Sequence, residues 1–296
     1  MTASQRRAAV AALVFNALVW GLSWWPFRLL GAQGLHGLWA TAGVYVVAML
    51  AMEIARPGAF AQARRARSLW LLALSAGLTN ACFNWAVTVG EVVRVVLLFY
   101  LMPAWSMLFA RWLLRECIDG PALLRTGLAF AGALVVLWPA GGDWPLPRGL
   151  ADWLAILGGA AFAMNNVLLR RDAERPGAVR AIAMFTGGAL VPAAVASFLA
   201  ASALIPWPPA PDPRWMGGLA VLSVAFIAGN LALQHGASRL PASTTAVVML
   251  TEVVFAAVSA VLIAGERLTV PTVAGGAMIV LASVLAALGW PRGRVG

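Results

Sequence analysis

Apolar stretches separated by short polar gaps follow one another along almost the entire chain. Ten of them occupy residues 8–30, 34–54, 69–90, 92–113, 121–138, 150–169, 178–204, 214–236, 242–264 and 270–289. A helix that crosses the hydrocarbon of a bilayer needs about 20 apolar residues, and each stretch is near that length. None shows the alternation of a half-buried strand, which disfavours a membrane barrel. The pattern predicts an all-α integral membrane protein with ten transmembrane helices.

Polar residues inside these stretches carry the candidate chemistry. Glu252 lies near the middle of PASTTAVVMLTEVVFAAVSAVLIAGE (241–266). A charged carboxylate is costly in hydrocarbon, so it must face a bundle interior, a partner or water. It is a candidate counter-ion for a substrate ammonium or a proton-carrying coupling site. The blander reading is a carboxylate hydrogen-bonded to a neighbouring helix. A ladder of further polar and aromatic residues runs through the other stretches: Asn16, Trp20 and Ser23; Asn80 and Asn84; Tyr100; Asn165 and Asn166; Asn230 and Gln234. The spacings 16/20/23, 80/84 and 230/234 each place residues on one helix face. An amide without a partner is expensive in lipid, so these faces should point inward. As a set they predict a central substrate-binding cavity, with amides for the polar groups of a zwitterion and Trp20, Tyr100 and Trp105 for its side chain. Taken singly, each Asn is better explained as interhelical glue worth about 0.6 kcal/mol. Pro103 falls inside the fourth stretch, where it permits a kink, either fixed or acting as a gating hinge. Gly127 with Ala131, and Gly275 with Ile279, have the spacing of close helix packing. Glu116 and Glu266, followed by Pro121 and Pro271, read as helix-end residues.

Composition agrees with the pattern. The 296 residues are 62% apolar and only 11% charged, against about 25% charged in a soluble domain. The net charge is +10 and every basic residue is Arg. These arginines sit in the gaps, which reads as topology signals and anionic-lipid anchors and does not argue for nucleic acid. With the N-terminus inside, sixteen arginines fall on the cytoplasmic side and five (Arg28, Arg94, Arg148, Arg214, Arg267) on the other. That bias predicts both termini in the cytoplasm. Arg6 and Arg7 precede an apolar run too long for a signal peptide, so the first helix is expected to stay uncleaved. Trp138, Trp144, Trp153, Trp207 and Trp215 form an expected aromatic belt on the outer face. Cys82 and Cys117 offer no disulfide framework, and two histidines are few for a metal site. No metal or cofactor is expected, and no motif of a soluble enzyme or phosphate loop is present.

The chain also repeats itself. Trp20, Ser23 and Arg28 align with Phe162, Asn165 and Arg170; Asn84 aligns with Gln234; Glu116 and Pro121 align with Glu266 and Pro271. The halves 8–138 and 150–289 then hold five helices each, and an odd number inverts the second half relative to the first. Inverted repeats with a midplane site are typical of secondary transporters. One chain would form the whole pathway, so a monomer suffices.

These residues resemble a known family. The patterns NALVWGLSWWPFRLL, GGAAFAMNNVLLRR, LMPAWSMLFARWLLRE and LTEVVFAAVSAVLIAGERL are similar to those of EamA-type transporters of the drug/metabolite transporter superfamily. The family's repeat carries a Pro in its fourth and ninth spans and a Glu after them. Pro103 and Glu116 match, as do Glu252 and Glu266, whereas Val253 stands where the second Pro is expected. The aromatic-rich interior looks like that of the family's aromatic amino-acid exporters. The resemblance implies export of amino acids or related metabolites, extending to drug-like compounds, across a bacterial inner membrane. A nucleotide-sugar or sugar-phosphate carrier of the same superfamily, or a membrane enzyme acting on a lipid intermediate, stays open as an alternative. The first needs cations inside the cavity and the second a cluster of acids or histidines.

Overall fold

The computed structural model describes residues 3–115, 120–138, 146–237, 239–240 and 248–288. Every regular element among them is a helix: α1 (Ala3–Leu22), α2 (Trp24–Ala32), α3 (Gly37–Ala55), α4 (Ala59–Arg65), α5 (Ser68–Val89), α6 (Val92–Phe99), α7 (Met102–Leu113), α8 (Gly120–Leu137), α9 (Leu150–Arg171), α10 (Gly177–Ala201), α11 (Pro213–Ala237), α12 (Thr251–Ala264) and α13 (Val270–Leu288). Seven segments are long and apolar enough to cross a membrane: Ala3–Ala32, Gly37–Ala55, Ser68–Val89, Val92–Leu113, Leu150–Arg171, Gly177–Ala201 and Pro213–Leu233. Three shorter apolar helices, Leu123–Leu137, Thr251–Ala264 and Val270–Leu285, fall within the other expected stretches. The outward faces are apolar, with Ile54, Leu262 and Val270 about four-fifths exposed. A surface of that kind is matched to lipid.

Two stretches expected as single helices are broken. In the first, α1 gives way to α2 at Ser23, whose Oγ donates to Trp20 O at 2.8 Å. Pro26, three residues on, has no N–H for the carbonyl of Leu22. In the fourth, a turn at Tyr100 and Leu101 separates α6 from α7. Pro103 lies in the first turn of α7, where its missing N–H costs little. That missing donor leaves the carbonyl of Phe99 without its helical partner.

The bundle is organised around α5, which packs against α3, α9 and α10, while α1 packs against α11 and α12. Helices α8 and α13 form a pair of their own. They cross where Gly132 meets Gly275, and a Cβ on Gly132 would lie 2.6 Å from the carbonyl oxygen of Gly275 and 2.9 Å from Ile279. Only glycine lets these backbones approach so closely. The Gly275–Ile279 face is thus in contact, as expected, but Gly127 is exposed and meets nothing within 4 Å. Gly127 and Gly132 differ by about 140° around the helix, so only one of them can face α13.

Candidate functional site

The interrupted helices meet inside the bundle. Helix α12 begins at Thr251, just after a turn at Leu250, which puts Glu252 in its first turn. An acidic side chain there is favoured by the positive end of the helix dipole. Tyr100, in the turn between α6 and α7, donates its hydroxyl to Glu252 Oε2 at 3.3 Å. One hydrogen bond therefore joins the α6–α7 turn to the first turn of α12, between residues 152 apart in sequence. Glu252 is half-buried and Tyr100 buried. Helix α1 comes in beside them at Gly21, where a Cβ would lie 2.8 Å from the Glu252 carbonyl oxygen.

A chain of aromatic rings runs from this contact to α11. Trp20 stacks on Phe226 with ring centres 4.7 Å apart and meets Phe83 edge-on at 6.4 Å. Phe83 packs on Phe99 at 4.8 Å, and Phe99 touches both Tyr100 and Phe162. Glycine on α9 makes the α6–α7 turn possible, because a Cβ at Gly159 would run into the carbonyl of Phe99. Trp20 belongs to two apolar clusters, one around α6 and one around α3 and α11, and so joins them.

The expected site residues divide into groups. Asn16, Trp20, Tyr100 and Glu252 come together: Asn16 Nδ2 donates to Met249 Sδ at 3.5 Å, three residues before Glu252. Asn230 is half-buried beside Gly229, which lies close to Asn16 Oδ1. Asn80 is taken up elsewhere: it accepts from Tyr45 Oη at 2.6 Å and donates to Ala76 O at 2.7 Å, joining α3 to α5. Asn84 Nδ2 donates to Thr41 Oγ1 at 3.1 Å in the same joint. Ser23 is occupied by the α1–α2 break. Asn165 is buried and Asn166 half-buried on α9. The side chains of Pro103 and Gln234 lie outside the described residues, as does Glu116. Among the described residues, the buried Oδ1 atoms of Asn16, Asn84 and Asn165 and the Nε1 of Trp105 have no hydrogen-bond partner. Buried polar atoms are nearly always paired, so these mark hydrogen-bonding capacity not spent on the fold.

A second polar assembly, missed from sequence, closes the end where α5 passes to α6. Arg28 donates through Nε to Val87 O at 2.9 Å, in the last turn of α5, and through Nη2 to Gly90 O at 2.6 Å, just past its end. Glu266 accepts from Val92 N at 2.7 Å and Val93 N at 3.2 Å, the first amides of α6. Arg28 and Glu266 are themselves 3.6 Å apart. Nearby on α6, Arg94 grips Asp152 with two contacts of 2.8 Å and donates to Val136 O at 2.7 Å. Both arginines are committed to carboxylates and helix ends.

A sequence profile of the EamA-like transporter family matches residues 7–138 and 149–288. No curated protein matches the chain. Twelve chains of solved structures do. One of them, a protein crystal structure 19% identical to this chain, has a TM-score of 0.56 and is aligned over 95% of this chain and 97% of its own. At that identity the likeness shows a shared fold.

Proposed function

The chain belongs to the EamA-like transporter family, and on that premise we propose that this multi-pass membrane protein exports amino acids, aromatic and other apolar ones first, by alternating access. The observation that carries the reading is the Tyr100–Glu252 hydrogen bond, which joins the α6–α7 turn to the start of α12 beside a cluster holding Phe83, Phe99 and Trp20, with Phe226 stacked on Trp20. Half-helix ends within a membrane typically receive the charged ends of a substrate. Glu252 and the unspent oxygen of Asn16 suit an ammonium, and the Trp105 indole N–H suits a carboxylate. The aromatic rings suit an apolar side chain.

In this reading ten helices form two inverted halves, 8–138 and 150–289, that rock about the site. Matching of the family profile to two separate segments supports that division. So does the contact pattern, in which α5 packs on α9 as its counterpart α11 packs on α1. Both termini would face the cytoplasm of a bacterial cell, and one chain would suffice. A sugar-phosphate carrier is disfavoured, because Arg28 and Arg94 are spent on carboxylates and backbone carbonyls.

The test is counterflow of labelled phenylalanine or tryptophan in proteoliposomes, comparing the natural chain with Glu252→Gln and Trp20→Ala. The natural chain is expected to exchange the amino acid. Each variant should lose at least about tenfold, equivalent to one displaced interaction of about 1.4 kcal/mol. Absence of exchange for any amino acid would sink the substrate assignment.

A further inference from the structure

Between α4 and the start of α5 lies an open cleft of about 580 Å³, lined by Gln62, Arg65, Ala66, Arg67, Ser68 and Arg175. Three guanidinium groups therefore border one shallow, open depression. Arg65 and Arg67 are exposed and have no ion pair among the described residues. The carboxylate that Arg175 contacts, Asp172, is already held by Arg171 at 2.8 Å, with Arg175 at 3.5 Å on its other oxygen. Two arginines against this one carboxylate leave Arg175 with capacity for a further anion. Helix α5 starts at Ser68, so its positive end adds to the same field.

The surroundings say which anion fits. Trp70 donates its indole N–H to the carbonyl of Arg64 at 3.1 Å, one residue before Arg65. Trp70, Leu71 and Leu74 are all exposed on α5. Their spacing places them on one helix face, and Trp is characteristic of the level of lipid headgroups. The cleft thus has cations at the headgroup level and an apolar track leading from it along a membrane helix.

We infer that this cleft binds the phosphate-bearing headgroup of an anionic phospholipid, with an acyl chain lying along Trp70, Leu71 and Leu74. The site is separate from the Tyr100–Glu252 contact, and the inference does not depend on which substrate is carried. A soluble phosphate would use the same guanidinium groups but gain nothing from the apolar track.

The experiment uses the full chain purified in detergent. Binding of phosphatidylglycerol is measured by native mass spectrometry and by the shift in melting temperature. Phosphatidylcholine and inorganic phosphate serve as the other two arms. Phosphatidylglycerol should be retained and should raise the melting temperature, and the other two should do neither at matched concentration. The R65Q/R67Q variant should bind phosphatidylglycerol about 30-fold more weakly, from the usual contribution of each basic residue at an anionic surface. Its melting temperature without lipid, compared with the natural chain, reports whether it folds. Should it fail to fold, R175Q with the same lipid titration takes its place. Equal retention of phosphatidylcholine, or unchanged retention by a folded variant, overturns the site. Stabilisation by inorganic phosphate equal to that by phosphatidylglycerol overturns the lipid assignment in favour of a soluble anion.

Discussion

At His36 the imidazole Nδ1 accepts the backbone N–H of Leu38 at 3.2 Å and so caps the start of α3. An accepting nitrogen must be unprotonated. Burial, beside the ring of Trp85, lowers the His36 pKa below its ordinary value. The folded protein therefore takes up this proton less readily than the unfolded chain does. The stabilisation is complete above the ordinary histidine value of about 6.5 and is lost as pH falls through that value toward the folded one. A helix cap is worth about 1 kcal/mol. The melting temperature should accordingly fall between pH 7.5 and pH 5, and less so in His36→Asn, whose capping oxygen does not titrate in that window. Identical pH slopes would contradict the assignment. Of the residues in the proposed site, Asn16, Trp20, Tyr100 and Glu252 stand out in the sequence because polar atoms are rare in apolar stretches. Phe83, Phe99 and Phe226 do not, since an aromatic residue facing a site and one facing lipid look alike in a string. The occupation of Asn80 by Tyr45 was equally hidden, because the partner lies on another helix.

The helices themselves were legible, and their interruptions less so. Apolar length marks a span, but it does not record where the hydrogen-bond ladder stops. Pro103 pointed to the α6–α7 break; Leu250 carries no such mark, and Val253 replaces the expected proline. The turn before α12 thus carries no local sequence signal. Gly159 allows a test at this scale. Gly159→Ala places a methyl against the Phe99 carbonyl, and neither backbone can yield without moving the α6–α7 turn. The expected cost is about 1–3 kcal/mol in stability, as for other overpacked interiors. Exchange should fall as well, because Tyr100 follows Phe99 directly. Gly127→Ala, which meets open space, should be neutral or slightly stabilising. Thermal melts of the two variants decide the matter, and equal melting temperatures would refute the close contact.

Across the whole molecule, the sequence made the membrane class and the family plain, while the long-range polar contacts stayed hidden. Val92 and Glu266 are 174 residues apart, and no local pattern predicts such a pairing. Yet that pairing joins the first third of the chain to its last quarter at the α5–α6 corner. The corner has a further property. Arg28 sits on carbonyls at the end of one helix, and Glu266 sits on amides at the start of the next. Those backbone groups have a fixed polarity that mutation does not reverse. An ordinary ion pair tolerates exchange of its two charges; this one should not. The single variants R28E and E266R should each be destabilised, and the exchanged pair R28E/E266R should show no recovery in melting temperature. Each swapped side chain would then face backbone dipoles of its own sign. The corner behaves as a keyed joint, in which handedness of charge is written into the main chain and the side chains only read it.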